Sequence, residues 1–549
     1  MTRSRIRRIV ALVALAAITA CGGGGGASAP AFVPPAPGQT HSKPGHDTGL
    51  SNIVGVGDSL TAGYQSNGIL GATGVKAGGL PVPPNQENGW WALLYEEASG
   101  KALDAAVAQM YDPATSPLPL IKGPGLNNQI INADNGFFPI TQAKTGDVCS
   151  DNGGFNNAGY HLKGVARVRM NPTSGNIRNV GIPGLTLHEA NVLHAPQTDT
   201  CNELPGIPGL LNMVVADEGG TFWPVLGTFA KMRDLTDVNA AANRHPALAT
   251  VWLGANDVLK YMGSGGRFVG GDRNAAQAEG DLRQSIATLQ HSGAKVVVAN
   301  LPDILEAGYF ERVSIPKKLT ECRIRSYVSC LFYFYGFPNS LVTSIAVKYH
   351  LTTPGGCTPA SITKPCGYLT IPGTIGVIQT YAYTGKVPNL DCNVPAPGCK
   401  GTPGNGLGQN YITPEFAGKV QSLENAINQG IDQAASAQHV PLVDVHAIFS
   451  GLASGKPSNP YFKLASSINP KDHCCTLGYL FGITSFDGLH PSNTGYALIA
   501  SEFIGAINKA YGMHIRQVDV GAAYAGTRCS NPKYCFPDPY APPNDLTPP

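Results

Sequence analysis

Short apolar segments, each followed by a glycine- or proline-containing turn and then by a helical pattern, recur along this 549-residue chain. Such apolar runs predict buried strands, and apolar residues that repeat every three or four positions predict helices. Since parallel strands are joined by right-handed helical crossovers, the alternation predicts an α/β fold with a parallel sheet covered on both faces. The predicted strands are one that starts at Ile53 and the segments 177–181, 247–253, 295–300 and 440–445.

The first predicted strand begins the segment IVGVGDSLTAGY (residues 53–64), in which Ser59 lies between that strand and a helix start. The carboxyl ends of parallel strands share one edge of the sheet, so Ser59 is expected there beside the N–H groups of a helix N-terminus. Gly57-Asp58-Ser59 alone is also an ordinary turn sequence. It is not the G-x-S-x-G elbow of the α/β-hydrolases, because Thr61 occupies the second glycine position. Serine chemistry therefore requires partners from other turns.

Acyl transfer through serine needs a base, a group that orients the base, and donors for the developing oxyanion. His490 is the candidate base, and Asp487, three residues earlier, is the candidate orienting group. The backbone N–H groups of Ser59 and Gly184 and the side-chain amide of Asn256 are the candidate oxyanion hole. Glycine allows close approach of the backbone, and an amide donates without carrying charge.

Four blocks in this order resemble the GDSL or SGNH hydrolase family, and the resemblance covers about half of the chain. They are Gly57-Asp58-Ser59-Leu60, the glycine block between Gly181 and Thr186, Gly254-Ala255-Asn256-Asp257, and Asp487-Gly488-Leu489-His490. Within the glycine block, Gly184 is chosen because Ile-Pro-Gly makes the turn before a helix. The resemblance implies a three-layer α/β/α, flavodoxin-like fold with a five-stranded sheet in the order 2-1-3-4-5. It also implies neither a metal nor an organic cofactor.

The predicted hydrolase domain spans residues 50–520 and holds two large loop-rich insertions, at about residues 65–176 and 303–413. The 67 glycines and 44 prolines favour long loops. An aromatic run at residues 327–337 is a candidate surface or lid for an acyl chain, with packing inside the insertion as the alternative. Residues 521–549 are predicted to form a Pro-rich tail closed by a disulfide.

Cysteine usage favours an oxidising compartment. Of 13 cysteines, 12 remain when Cys21 is set aside, an even number that suits disulfides. A metal site at His473-Cys474-Cys475 is disfavoured, since no C-x2-C or H-x3-H spacing accompanies it. Proximity in the sequence suggests the pairs Cys322–Cys330, Cys357–Cys366, Cys392–Cys399 and Cys529–Cys535.

The N-terminus predicts export. Residues 1–20 combine four arginines with an apolar run, which is typical of a signal peptide and shorter than the roughly 20 residues of a membrane span. Ile18-Thr19-Ala20-Cys21 resembles a bacterial lipobox, so Cys21 would carry a diacylglycerol; an ordinary cleaved signal before an unrelated cysteine is the alternative. Residues 21–49 would then be a Gly/Pro-rich tether. We expect a lipid-anchored lipoprotein of the cell envelope, on the periplasmic side or the cell surface.

Charge argues against one class of partner. Without residues 1–20, 34 basic residues face 36 acidic ones, so nucleic acid is not an expected partner.

We expect a serine esterase that hydrolyses acyl-lipid, lysophospholipid or O-acetyl esters through a Ser-His-Asp acyl-enzyme mechanism. Acyl transfer to an envelope sugar at the same site and a non-catalytic binding lipoprotein are the alternatives. The sequence leaves the oligomeric state open.

Overall fold

The computed structural model of the protein describes the central part of the chain. The described residues are 50–65, 68–71, 76–77, 80–81, 84–103, 115–121, 169–171, 174–194, 225–226, 235–266, 268, 270–307, 310–311, 339–351, 362–370, 377, 380–381, 384–387, 411–453, 485 and 489–525. The predicted signal peptide, the tether with Cys21, the aromatic run at 327–337 and nearly all of the predicted tail lie outside them. Cys366 is buried, but its predicted partner Cys357 lies outside the described residues, so that disulfide stays a prediction.

Nine strands and eleven helices lie within the described residues. The strands are β1 (Ile53–Gly57), β2 (Lys76–Ala77), β3 (Leu80–Pro81), β4 (Leu248–Trp252), β5 (Lys295–Ala299), β6 (Phe310–Glu311), β7 (Tyr368–Thr370), β8 (Tyr411–Ile412) and β9 (Leu442–Val443). The helices are α1 (Ser59–Ala62), α2 (Trp90–Ser99), α3 (Glu189–Val192), α4 (Asp237–Ala242), α5 (Ala255–Gly263), α6 (Ala275–His291), α7 (Asn339–Lys348), α8 (Pro414–Ala437), α9 (Val445–Ala453), α10 (Asn493–Tyr511) and α11 (Val520–Ala525). None of these helices combines the length and the apolar character that a membrane span requires.

The central sheet is parallel, as predicted, and has four strands in the order β1-β4-β5-β9. The predicted strand at 177–181 is not part of it. That segment forms one isolated parallel bridge, from Asn179 to Gly55 of β1. The segment still lies along β1, because the N–H groups of Val180 and Ile182 donate to the backbone oxygens of Gly55 and Gly57 (2.9 Å each). Only one residue pair forms a bridge, however, so the segment does not count as a fifth strand. The five-stranded order therefore stays a prediction.

The predicted insertions contain regular structure that the sequence analysis described as loops. Strands β6, β7 and β8 form a small antiparallel sheet, and β2 and β3 pair as a short hairpin. Each of these strands has only two or three residues, too few to show the alternation that predicts a strand. In the first insertion, α2 ends at Ser99, because Gly100 adopts a left-handed conformation (φ 71°) that terminates the helix.

Alternate residues of each strand face opposite sides of the sheet, where two separate apolar cores form. On one face Val54, Val56 and Val251 pack with apolar residues of α6 and α8. On the other, Ile53 and Trp252 pack with apolar residues of α2 and α10. Helices therefore cover both faces of the sheet.

Aromatic packing joins α2 and α10 to the second face. The rings of Trp90 and Phe503 stack with centroids 4.1 Å apart, and Trp252 lies edge-on to Trp90 at 5.8 Å. Gly55 is needed where Trp91 crosses β1, because a Cβ there would lie 2.4 Å from the indole. Each aromatic pair adds about 0.5–1.5 kcal/mol beyond the burial of its area. This packing fixes α10, which directly follows His490.

Helices α6 and α8 pack closely on the first face because Gly430 of α8 has no side chain. A Cβ at Gly430 would lie 2.4 Å from the backbone oxygen of Ala275 and 2.8 Å from the Cβ of Ala278. Gly280 of α6 is exposed, and a Cβ there would meet no atom within 4 Å. The two glycines thus differ in packing while both lie inside helices.

We expect Gly430→Ala to lower the free energy of unfolding by about 1–3 kcal/mol through overpacking. Gly280→Ala is the matched control and should raise it by about 0.5–1 kcal/mol, since alanine is the better helix former. Urea unfolding followed by circular dichroism measures both. Equal effects of the two substitutions would contradict the close α6–α8 contact.

Candidate active site

The structure brings together Ser59 and His490, which lie 431 residues apart in sequence. Ser59 is the first residue of α1, directly after β1, and its Oγ lies 2.8 Å from Nε2 of His490. His490 is only 8% exposed, so little solvent competes for this hydrogen bond. A serine hydroxyl and an imidazole at this distance form a nucleophile and base pair.

Three contacts from His490 and the start of α10 to the segment after α1 hold this pair in place. The hydroxyl of Tyr496 donates to the backbone oxygen of Tyr64 (2.7 Å), and the Gln65 amide donates to Oδ1 of Asn493 (2.9 Å). The Tyr64 ring lies 4.5 Å from the ring of His490. The sequence analysis did not identify Tyr64, since only the fold brings it to the histidine.

Asp487 lies outside the described residues, and its role as the orienting group stays a prediction. The neighbouring loop is described at Ser485, whose N–H donates to the backbone oxygen of His490 (2.7 Å). Leu489 packs against the core of the first face. These contacts fix the backbone on both sides of the imidazole.

Asn256 connects the serine turn to the glycine block. Its Nδ2 donates to Oδ2 of Asp58 (3.1 Å) and to the backbone oxygen of Leu185 (3.0 Å). All three groups are buried, and Oδ1 of Asn256 has no hydrogen-bond partner within the described part of the chain. One amide group thus links the loops that follow β1, the segment 177–181 and β4.

Asp257 fixes the same glycine block from the next position. Its Oδ2 accepts from the N–H of Leu187 (3.0 Å), and its Oδ1 accepts from the N–H of Asp272 (2.7 Å). Burial raises the pKa of Asp257 to about 7, although these two N–H bonds oppose the change. Both partners lie in other loops.

Asp58 organises the serine turn. Its Oδ1 caps α1 by accepting from the N–H of Leu60 (2.9 Å), and its Oδ2 accepts from Asn256. Burial raises the pKa of Asp58 to about 7, while the Leu60 bond and the nearby His490 lower it by less. Asp58 therefore connects the helix that carries Ser59 to the amide of Asn256.

Of the two glycines in the glycine block, Gly184 has the available N–H. Gly181 donates to Asn179, and a Cβ on Gly181 would lie 2.6 Å from the backbone nitrogen of Ala62. Gly184 adopts φ 89°, a conformation that favours glycine. Among the described residues, neither its N–H nor that of Ser59 has a hydrogen-bond acceptor. Both groups remain able to bind a ligand oxygen.

A family model described as GDSL-like Lipase/Acylhydrolase matches residues 53–503, most of the chain. The chain belongs to this family. It is therefore a hydrolase of the serine type that acts on esters, and the matched range includes Ser59, Asn256 and His490. Neither the curated proteins nor the solved structures contain a match.

The hydrolase also buries a carboxyl group behind the serine turn that the sequence analysis missed. Asp237, the first residue of α4, is fully buried, and neither carboxyl oxygen makes a well-formed hydrogen bond within the described part of the chain. Burial raises the pKa of Asp237 well above its ordinary value, and the nearby N–H of Gly57 offsets only part of this. No motif or spacing marks this residue; only its position against β1 does.

The raised pKa of Asp237 should make stability depend on pH. The folded protein holds this proton more tightly than the unfolded chain, so the contribution is complete below the unfolded pKa of about 3.9 and is lost as the pH rises through the folded pKa. Asp237→Asn cannot ionise, so the variant should gain stability relative to the wild type between pH 5 and pH 9. Urea unfolding at both pH values measures the change. A pH-independent difference between the two proteins would contradict this prediction.

Proposed function

We propose that this hydrolase cleaves carboxylic esters through an acyl-enzyme intermediate on Ser59. The observation that carries the proposal is the 2.8 Å contact between Ser59 Oγ and His490 Nε2. His490 accepts the hydroxyl proton as Oγ attacks the ester carbonyl, then gives that proton to the leaving alcohol. Water, activated by the same imidazole, releases the acid and restores Ser59. Asp487 is assigned to hold the imidazole through its other nitrogen.

The N–H groups of Ser59 and Gly184 and the Asn256 amide are proposed to stabilise the oxyanion. The two backbone groups have no acceptor within the described residues, which supports this role. The Asn256 amide already donates to Asp58 and Leu185. The developing oxyanion would replace the Leu185 oxygen as one acceptor, while Asp58 keeps the amide oriented.

We propose acyl-lipid or lysophospholipid esters and O-acetyl esters as the candidate substrates. Both have an uncharged carbonyl that a serine nucleophile attacks, and both occur at cell envelopes. Export is proposed on the signal-like residues 1–20, and membrane attachment on the lipobox-like sequence that ends at Cys21. The two substrate classes differ in acyl length, which a chain-length series measures directly.

We expect protein that begins after Cys21 to hydrolyse p-nitrophenyl esters in a series from acetate to palmitate. Ser59→Ala and His490→Ala should each lower kcat by about four to six orders of magnitude, because each removes half of the nucleophile and base pair. Preference for acetate would favour O-acetyl esters, and preference for long chains would favour acyl lipids.

The controls are Ser340→Ala and His291→Ala, two exposed positions on α7 and α6, which should keep wild-type activity. Circular dichroism and thermal unfolding confirm that all four variants fold. Retained hydrolysis in both Ser59→Ala and His490→Ala would disprove the assignment of the nucleophile and base.

Asp58→Asn tests whether the orientation of Asn256 matters for the reaction. The new side chain keeps an oxygen for the Leu60 N–H but turns an NH2 group towards Nδ2 of Asn256, where two donors repel each other. We expect kcat to fall by about 10- to 100-fold, part of the loss typical for one oxyanion donor. KM should change little, whereas the thermal midpoint should fall, because the variant loses the buried hydrogen bond between Asn256 and Asp58. A fall in stability with kcat unchanged would assign Asp58 a purely structural role.

A further inference from the structure

A second group of polar side chains lies beside the glycine block, apart from Ser59 and His490. It consists of His188, immediately before α3; Asp272, before α6; and Asp281, within α6. One potential ligand atom from each lies within 4.8 Å of the others. Nδ1 of His188 is 2.8 Å from Oδ2 of Asp281. We call these three residues the His188 cluster.

Asp272 gives the independent indication that the His188 cluster binds something. The residue is 3% exposed, and its Oδ2 is buried without a hydrogen-bond partner in the part of the chain that the structure describes. Its carboxyl group lies close enough to that of Asp281 for the two to interact directly. A buried carboxylate is unfavourable unless a cation or donors compensate it.

Two other cationic side chains lie near the His188 cluster. Nζ of Lys260 donates to both carboxylate oxygens of Glu189, at 2.9 and 3.1 Å. The guanidinium of Arg273 lies over the ring of Tyr261, with 5.0 Å to the centroid, while its Nε and Nη2 have no hydrogen-bond partner among the described residues. Within the His188 cluster only the imidazole can carry positive charge, and it faces two carboxyl groups.

We propose that His188, Asp272 and Asp281 bind one divalent cation, Zn²⁺ or Mn²⁺. One imidazole nitrogen with two carboxylate oxygens suits these metals better than Ca²⁺ or Mg²⁺, which prefer oxygen ligands alone. Metal–ligand distances of about 2.0–2.2 Å place ligand atoms roughly 3–4 Å apart, so small side-chain movements suffice. The His188 side chain is 46% exposed, which gives the ion a route from solvent and leaves positions for water.

The cation would act as a clamp on the glycine block. Asp257 accepts from the N–H groups of Leu187 and Asp272, so it already links the glycine block to the loop before α6. A metal bound by both His188 and Asp272 would add a second connection between the glycine block and the loop before α6. The site is structural: it holds the block that carries Gly184 and takes no part in ester chemistry.

The alternative is a proton in place of a metal. Burial and the carboxyl groups of Asp257 and Asp281 raise the pKa of Asp272 to about 8, which also fits a proton shared between Asp272 and Asp281. The two explanations differ in direct binding. Titration calorimetry with ZnCl2 and MnCl2, on untagged protein freed of metal by a chelator, therefore distinguishes them without any measurement of ester hydrolysis.

We expect one ion per chain with micromolar or tighter Kd, and a rise of several degrees in the thermal midpoint. Asp272→Asn and His188→Gln should each weaken binding at least tenfold. Because His188 is half-exposed, His188→Gln should leave the metal-free midpoint unchanged, which separates loss of binding from loss of folding. Glu279→Gln, at a partly exposed position of α6 whose side chain pairs with Arg283, is the matched control and should bind like the wild type.

Two results would overturn the proposal. One is the absence of saturable Zn²⁺ or Mn²⁺ binding, which leaves the shared proton as the explanation. The other is binding that Asp272→Asn and His188→Gln both leave unchanged, which places the metal elsewhere. Ca²⁺ binding with equal or higher affinity would also overturn it, because the imidazole would then not act as a ligand.

Discussion

The hydrogen bonds of the Asn256 amide are the interaction on which the geometry of the active site depends. The amide binds Asp58, 198 residues away in sequence, and the backbone of Leu185, 71 residues away. The parallel sheet brings these loops to one edge, but adjacency alone does not fix their relative positions. Because the groups are buried, breaking either bond leaves a polar group without a hydrogen-bond partner, which costs about 1–3 kcal/mol. These bonds therefore fix the position of Gly184 relative to Ser59.

Small residues make the close approach of these loops possible. At Gly57 a Cβ would lie 2.0 Å from Oγ1 of Thr61, and at Gly181 it would lie 2.6 Å from the nitrogen of Ala62. The absence of a side chain at these two glycines thus allows β1 and the glycine block to lie against α1. Helix α10 fixes the opposite side, because its first residues bind the segment after α1 and its middle packs on Trp90. The serine and the histidine are positioned by separate structural elements that meet at the sheet edge.

Long periodic segments were predictable from sequence, and so was the parallel sheet. Helices α6, α8 and α10 have apolar faces and capping residues that local sequence specifies, such as Asn274 and Thr413. The strands of two or three residues outside the central sheet carry no period, so they were missed. In the site, block order predicted that Ser59 and His490 meet. The partners of Asp257, the burial of Asp237 and the His188 cluster depend on contacts between distant segments, which no local pattern encodes.

Asn256 and Asp257 are adjacent on α5, but their hydrogen bonds hold different parts of the active site. Asn256 connects to Asp58 and hence to the serine turn, whereas Asp257 connects to Leu187 and to the loop of Asp272. A cation in the His188 cluster would therefore act on the position of the glycine block and Gly184. The contact between Ser59 and His490 depends instead on α10 and Tyr64. Since the contacts of Asp257 reach the glycine block rather than α10 and Tyr64, the cluster would affect stabilisation of the oxyanion more than activation of the nucleophile.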